Sequence, residues 1–248
     1  ASRETWSFDA LLPGGERKPL ILKRDPLDEQ ADGQTIDDAV HLGVSRWTEG
    51  RLMQLAGEVG VPVPAVPFFL EADECTSPGF VMQRLEGEAL GRRILREDAY
   101  ALARPKLAFQ CGQAAARFHN IPTDRLPPLA YLPVAEAIAY NRDVVDSFHQ
   151  PHAGFEYAFH WLAERVALAG DKVGLVHGDY RNGNLLVDGA GLAGVLDWEL
   201  GHLGNPVNDL GCFCIRAWRY GGFVGWVRGG RRRAGGGGRA RGAARPRA

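Results

Sequence analysis

The chain has 248 residues, a net charge of −1 and 45% hydrophobic residues, enough to build one large domain or two lobes sharing a cleft without metal or disulfide staples. No run approaches the roughly 20 apolar residues of a membrane span, and no charged-then-apolar leader opens the chain, although it starts without Met and in mid-pattern. The near-neutral total hides an asymmetry: residues 223–248 hold eight Arg and no acid, and without them the net charge falls from −1 to −9.

Residues 5–12 alternate apolar and polar side chains and predict a strand. Pro13, Gly14 and Gly15 turn the chain, and residues 19–23 return as the second strand of a hairpin. A polar, irregular stretch follows to residue 43. Thr48, Leu52, Leu55 and Val59 then repeat at helical spacing, with Gly60 and Pro62 as the stop. Residues 67–71 and 79–85 read as two further strands. This order describes a small sheet with one helix against it, ending at Glu86-Gly87-Glu88.

Beyond that point Leu107, Cys111, Ala114 and Phe118 mark one helix and Phe155, Phe159, Leu162 and Val166 another, with a weaker candidate over 134–145. Three short apolar runs, 173–176, 184–187 and 192–196, predict buried strands with loop residues at their ends. The tail from about residue 225 is Gly, Arg and Ala with nothing to bury, and is expected to be disordered. Cys75, Cys111, Cys212 and Cys214 have no second pair at zinc-ligand spacing, so they read as reduced thiols of a cytoplasmic protein.

The chemistry is concentrated in His177-Gly178-Asp179-Tyr180-Arg181-Asn182-Gly183-Asn184 and in Val195-Leu196-Asp197-Trp198-Glu199. Taken singly, Asp, Asn and Gly are ordinary turn residues. Jointly, two carboxylates and an amide oxygen on loops between buried strands make an oxygen-rich site suited to Mg²⁺, which takes its remaining ligands from water and phosphate. One carboxylate can hold metal while the other orients a hydroxyl.

The His-x-Asp-(four residues)-Asn spacing with a later Asp resembles a kinase catalytic loop and metal loop. Gly178 in place of the Arg of protein kinases, and Asp197-Trp198-Glu199 in place of Asp-Phe-Gly, make the sequence similar to the aminoglycoside phosphotransferase and choline-kinase-like family, over roughly residues 2–222. The resemblance implies an α+β, two-lobed protein-kinase-like fold: residues 1–86 as the nucleotide lobe, 87–222 as the catalytic lobe and 223–248 as the tail. It implies Asp179 as catalytic base, Asn184 and Asp197 as Mg²⁺ ligands, and His177 as support for the loop. Asp209 would be structural, bonding loop backbone. Lys23 matches the lysine that grips the nucleotide phosphates and Glu49 its partner. Ser2 and Thr5 match the end of the phosphate-covering loop, and Gln83 and Leu85 the hinge that meets adenine. Trp6, Trp47 and Trp161 are expected to pack in the core, whereas Trp198 and Trp218 flank the catalytic loops and are better placed to face substrate, with packing the favoured reading for Trp198.

The reaction implied is transfer of the γ-phosphoryl group of ATP, or GTP, to a hydroxyl of a small molecule. The acidic body favours a cationic acceptor. The alternative is a catalytically impaired nucleotide-binding module, suggested by a start inside the covering loop and by helical patterning that gives way to the Arg/Gly tail near Tyr220. That abrupt change reads as a replaced C-terminus rather than a nucleic-acid arm, since no aromatic follows Trp226 to stack on bases.

Overall fold

The computed structural model describes residues 4–25, 43–71 and 76–215. Strands β1 (Glu4–Leu11) and β2 (Arg17–Arg24) form the expected hairpin, whose register sets Thr5 opposite Lys23. Helix α1 (Arg46–Glu58) begins at Ser45, whose hydroxyl accepts from the Thr48 N–H at 3.1 Å. Its inward face, Leu52, Met53, Leu55 and Ala56, is buried. Strands β3 (Phe68–Leu70) and β4 (Gly79–Gln83) complete an antiparallel sheet in the order β1-β2-β4-β3. This is the small sheet with one helix that the sequence predicts.

The second lobe is mainly helical: α2 (Gly91–Arg96), α3 (Arg104–Phe118), α4 (Val134–Ser147), α5 (Ala153–Ala163) and α6 (Val207–Cys214). Between them lie five short strands: β5 (Tyr131–Leu132), β6 (Gly174–Val176), β7 (Leu185–Val187), β8 (Leu192–Val195) and β9 (His202–Gly204). β7 and β8 pair as a hairpin, while β9 lies between β5 and β6. The connection from the sheet is tied to the second lobe by a reciprocal pair of backbone bonds between Glu88 and Val187 at 2.8 and 2.9 Å.

One hydrophobic cluster spans both lobes and sits directly beneath the loops of interest. It joins Leu52, Met53 and Leu55 of α1 and Phe80 of β4 to Cys111 and Phe118 of α3, Tyr180, Val195 and Trp198. Phe118 is its centre, with edge-on contacts to Tyr180 and Trp198 at 5.5 and 5.1 Å between ring centroids. Trp198 is fully buried as expected, its indole N–H given to the Val195 carbonyl at 3.2 Å. Trp6, Trp47 and Trp161 depart from expectation: they are 56%, 52% and 44% exposed. Trp6 lies on an open sheet face, and of the residues that predicted α5 only Phe159 is buried. Ser2, Trp218, most of the irregular stretch before residue 43 and the tail lie outside the described residues.

Candidate active site

The loop from His177 to Asn184 connects β6 to β7, and a buried carboxylate below it sets its shape. Asp209, in the first turn of α6, is fully buried. Its carboxylate accepts from the His177 N–H at 2.8 Å, the Gly178 N–H at 3.0 Å and His119 Nε2 at 2.9 Å. Asp209 is thus structural, as read from the sequence, because charge-assisted bonds to loop amides offset the cost of burying it.

Gly178 follows from the same packing. Its φ is +83°, and a Cβ there would lie 2.5 Å from the Leu200 carbonyl oxygen, so the larger residue that protein kinases carry at this position cannot fit.

His177 bridges the two loops. Its Nε2 donates to the Leu196 carbonyl at 3.0 Å, and its Nδ1 accepts from the Asp179 N–H at 3.3 Å. Acceptance at Nδ1 requires the neutral ring, with its proton on Nε2. Burial pushes its pKa down, outweighing the opposing pull of Asp209 and the Leu196 carbonyl.

Asp179 then presents a half-exposed carboxylate held at both oxygens. Arg181 Nε donates to Oδ1 at 2.6 Å and Asn184 Nδ2 donates to Oδ2 at 2.7 Å. With its NH₂ turned to Asp179, Asn184 has its amide oxygen left for a ligand. The β7–β8 pairing sets Leu185 opposite Val195, and the Leu196 N–H bonds the Asn184 carbonyl at 2.8 Å, so that Asp197 follows directly on the residue paired with Asn184. Cys212, near Asp179, stays a thiol: burial first, then the Asp179 and Asp209 charges, push it up to about 11.

Asp197 has φ +65°, a left-handed conformation that costs a non-glycine residue roughly 1–2 kcal/mol and persists only where the surroundings demand it. Its carboxylate meets Lys23, 174 residues earlier. Lys23 Nζ lies 2.8 Å from Asp197 Oδ1 and 2.5 Å from Glu49 Oε1. Burial alone would lower the Lys23 pKa, but the Glu49 and Asp197 carboxylates outweigh it and the net shift is upward. Glu49 is fully buried and its other oxygen accepts from Arg46.

The structure therefore brings together Lys23, Glu49 and Asp197, and separately Asp179 with Asn184, and the β7–β8 hairpin joins the two sets. Thr5 lies across the strand pair from Lys23, whereas Ser2 is outside the described residues. Gln83 ends β4 with its N–H given to the Ala65 carbonyl at 2.8 Å, so only its carbonyl remains for a base. Leu85 packs at Gly194, whose Cβ would lie 3.0 Å from its methyl. Arg46 and Arg181 were missed from sequence. Each had a signal, an opposite charge at i+3 on a helix for one and a carboxylate two residues earlier in the same loop for the other.

The residues present fit a magnesium ion held with nucleotide. Around Lys23 and Arg46 stand the carboxylates of Asp25, Glu49, Asp197 and Glu199, and among these Asp197 is the most exposed, at 39%, an oxygen donor accessible to a divalent ion. No cluster of three His, Cys, Asp or Glu side chains among the described residues could hold a metal on its own. That suits Mg²⁺, which uses one or two protein oxygens and completes its shell with phosphate and water.

Residues 3–246 match the phosphotransferase enzyme family. The chain belongs to that family. Three solved structures share the fold of this chain. A candidate aminoglycoside phosphotransferase from Ralstonia eutropha JMP134 is 22% identical with a TM-score of 0.64, covering 88% of this chain. The match covers 64% of that protein, so the present chain spans just under two thirds of its length. A macrolide 2′-phosphotransferase from Brachybacterium faecium is 17% identical with a TM-score of 0.52, covering 82% of this chain and 69% of that one. A thermostable aminoglycoside phosphotransferase mutant solved with ADP and hygromycin B is 14% identical with a TM-score of 0.54, covering 85% and 67%. The two-lobed α+β architecture is thus the kinase-like fold of antibiotic phosphotransferases. Comparison with curated protein sequences found no match. No helix among the described residues is long and apolar enough to cross a membrane.

Proposed function

We infer that this chain transfers the γ-phosphoryl group of ATP to a hydroxyl of a small molecule, with Asp179 as base and Asn184 and Asp197 as magnesium ligands. The observation that carries the reading is Lys23 Nζ held between Glu49 and Asp197, at 2.5 and 2.8 Å. A buried lysine shared by a helix glutamate and a strained loop aspartate is poised to exchange the aspartate for phosphate oxygens. Residues 1–86 serve as the nucleotide lobe and 87–222 as the catalytic lobe. Thr5 would contact the phosphates, and the Gln83 carbonyl and Leu85 main chain would meet the base; Ser2, also assigned to the phosphates from sequence, lies outside the described residues.

In this mechanism Lys23 neutralises phosphate charge and Glu49 keeps it extended. Asn184 and Asp197 would hold magnesium, which when bound would supply positive charge to offset that developing on the phosphate. Asp179 receives and orients the acceptor hydroxyl, and Arg181 and Asn184 fix its carboxylate so that no orientational freedom is lost at the moment of transfer. Because the transition state is loose, positioning and charge supply most of the catalysis.

The acceptor class follows the relatives, a macrolide phosphotransferase and an aminoglycoside enzyme bound to hygromycin B. The free thiols at Cys111 and Cys212 favour the cytoplasm as its compartment.

The test is transfer of label from γ-labelled ATP with Mg²⁺ to a panel of aminoglycosides, macrolides, sugars and choline-like amines. We expect labelled product with at least one acceptor, and its loss in Asp179→Asn. Transfer at the wild-type rate by Asp179→Asn would refute the assignment. Nucleotide binding with no transfer to any acceptor would leave the nucleotide-binding module as the better reading.

A further inference from the structure

Arg46 is 1% exposed and is nowhere in the gripping pair, yet it touches carboxylates from three segments. Its Nε donates to Asp25 Oδ1 just past the end of β2 at 3.2 Å. Its Nη1 donates to Glu49 Oε2 on α1 and lies 4.0 Å from Glu199 Oε2 in the turn after Asp197. Its Nη2 is buried with no hydrogen-bond partner. Burying a guanidinium with one NH₂ unpaired costs stability, and an apolar side chain of similar volume would usually serve the fold better. Stability alone therefore does not account for an arginine here.

The surrounding contacts give it a purpose. Glu49 divides its carboxylate, with Oε1 on Lys23 and Oε2 on Arg46, so the direction in which Glu49 holds the lysine is set by the arginine. Helix α1 is also bound to the turn that carries Asp197. The Val44 N–H donates to the Glu199 carbonyl at 2.8 Å. Gly201 lies so close to α1 that a Cβ would sit 2.5 Å from a Leu52 methyl. Arg46 is the charged part of that junction.

We propose that Arg46 is a positioning residue that couples the Lys23–Glu49 pair to the Asp197–Glu199 turn, so that the phosphate grip and the metal ligand are set together; the inference rests on the phosphotransferase reading. When nucleotide enters, Lys23 leaves Asp197 for phosphate oxygens. Arg46 keeps Glu49 and Glu199 referenced to one point while that exchange occurs.

The test is a double-mutant cycle of Arg46→Lys and Glu199→Gln, titrated calorimetrically with ADP in excess Mg²⁺ and with ADP in EDTA. We expect Arg46→Lys to weaken Mg–ADP binding roughly tenfold and Glu199→Gln roughly threefold. The double variant should be no weaker than Arg46→Lys alone, because both act through one contact. Binding in EDTA should change less than binding in Mg²⁺ for each variant, which a merely structural role would not produce.

Additive losses, or wild-type affinity in both single variants, would overturn the proposal. Should Arg46→Lys fail to fold, Glu199→Gln decides: a loss confined to Mg–ADP supports the coupling, and an equal loss in EDTA or none overturns it. Wild-type protein that does not bind Mg–ADP would refute the phosphotransferase reading and this inference with it, whereas wild-type binding with unaffected variants removes the inference alone.

Discussion

The two halves of the site hold their charges in opposite ways. On the proposed nucleotide side, the gripping residues Lys23, Arg46 and Glu49 have side chains 11%, 0% and 0% exposed and are connected by contacts among residues from β2 and α1, while among their partners here only Asp197, at 39%, is open to a ligand. On the acceptor side, Asp179 and Arg181 are each 24% exposed, and the buried charge lies one layer down, in Asp209. A grip must keep its geometry while a polyanion comes and goes, and burial among fixed partners achieves that. In the proposed mechanism a base must meet a hydroxyl that arrives from solvent, and Asp179 is accordingly only partly buried, with its loop held by the carboxylate beneath it.

That division predicts which substitutions harm chemistry and which harm the fold. The largest effect should be that of Asp179→Ala, which we expect to lower transfer by about three orders of magnitude while sparing Mg–ATP binding and thermal stability. Parallel loss of binding and melting temperature would show that the exposed carboxylate is structural after all. Asp209→Ala should do the reverse. It strips two loop N–H groups and His119 of their acceptor, and should cost roughly 3–5 kcal/mol in chemical denaturation. Glu49→Gln keeps the shape of the grip but weakens its hold on Lys23, and should raise the ATP KM roughly tenfold with a smaller change in kcat.

A pH experiment sharpens the comparison further. His177 is held neutral, with its folded pKa below the ordinary value of 6.5. The unfolded chain therefore binds more protons than the folded one below about pH 6.5. Stability that is fully present above that pH should fall as the pH drops through the window below it, and His177→Gln should flatten the slope. The smallest effect is expected at the surface. Arg125→Ala breaks an exposed pair with Glu58 at 2.5 Å and should shift stability by no more than about 0.5 kcal/mol.

The loops that carry Asp179, Asn184 and Asp197 were legible in the sequence because their parts are close along the chain. His177, Asp179 and Asn184 fall within one loop, Asp197 lies one hairpin later, and apolar runs on both sides fixed where the loops would be. Lys23 and Glu49 were legible through resemblance, from a strand end and a first helical turn, but their burial was not. A first-turn glutamate is more often solvated, and only the packing of α1 on the sheet distinguishes the two. Arg46 was missed for the same reason, since an Arg–Glu pair at i,i+3 looks like an exposed helix pair until the helix face is known. β5 and β9 were missed because two or three residues carry too little alternation to register. Trp6, Trp47 and Trp161 were misplaced because aromatic content says a residue is costly to expose, and not which face of its element meets the core.

The most direct test of the account is thermal unfolding of wild type and Asp197→Ala with and without Mg²⁺ and ATP. The site as described predicts an upward shift of the wild-type melting temperature that requires both ligands and is lost in Asp197→Ala. An equal shift in the two proteins, or none in wild type, would contradict the assignment of Lys23, Asn184 and Asp197 as a nucleotide and metal site.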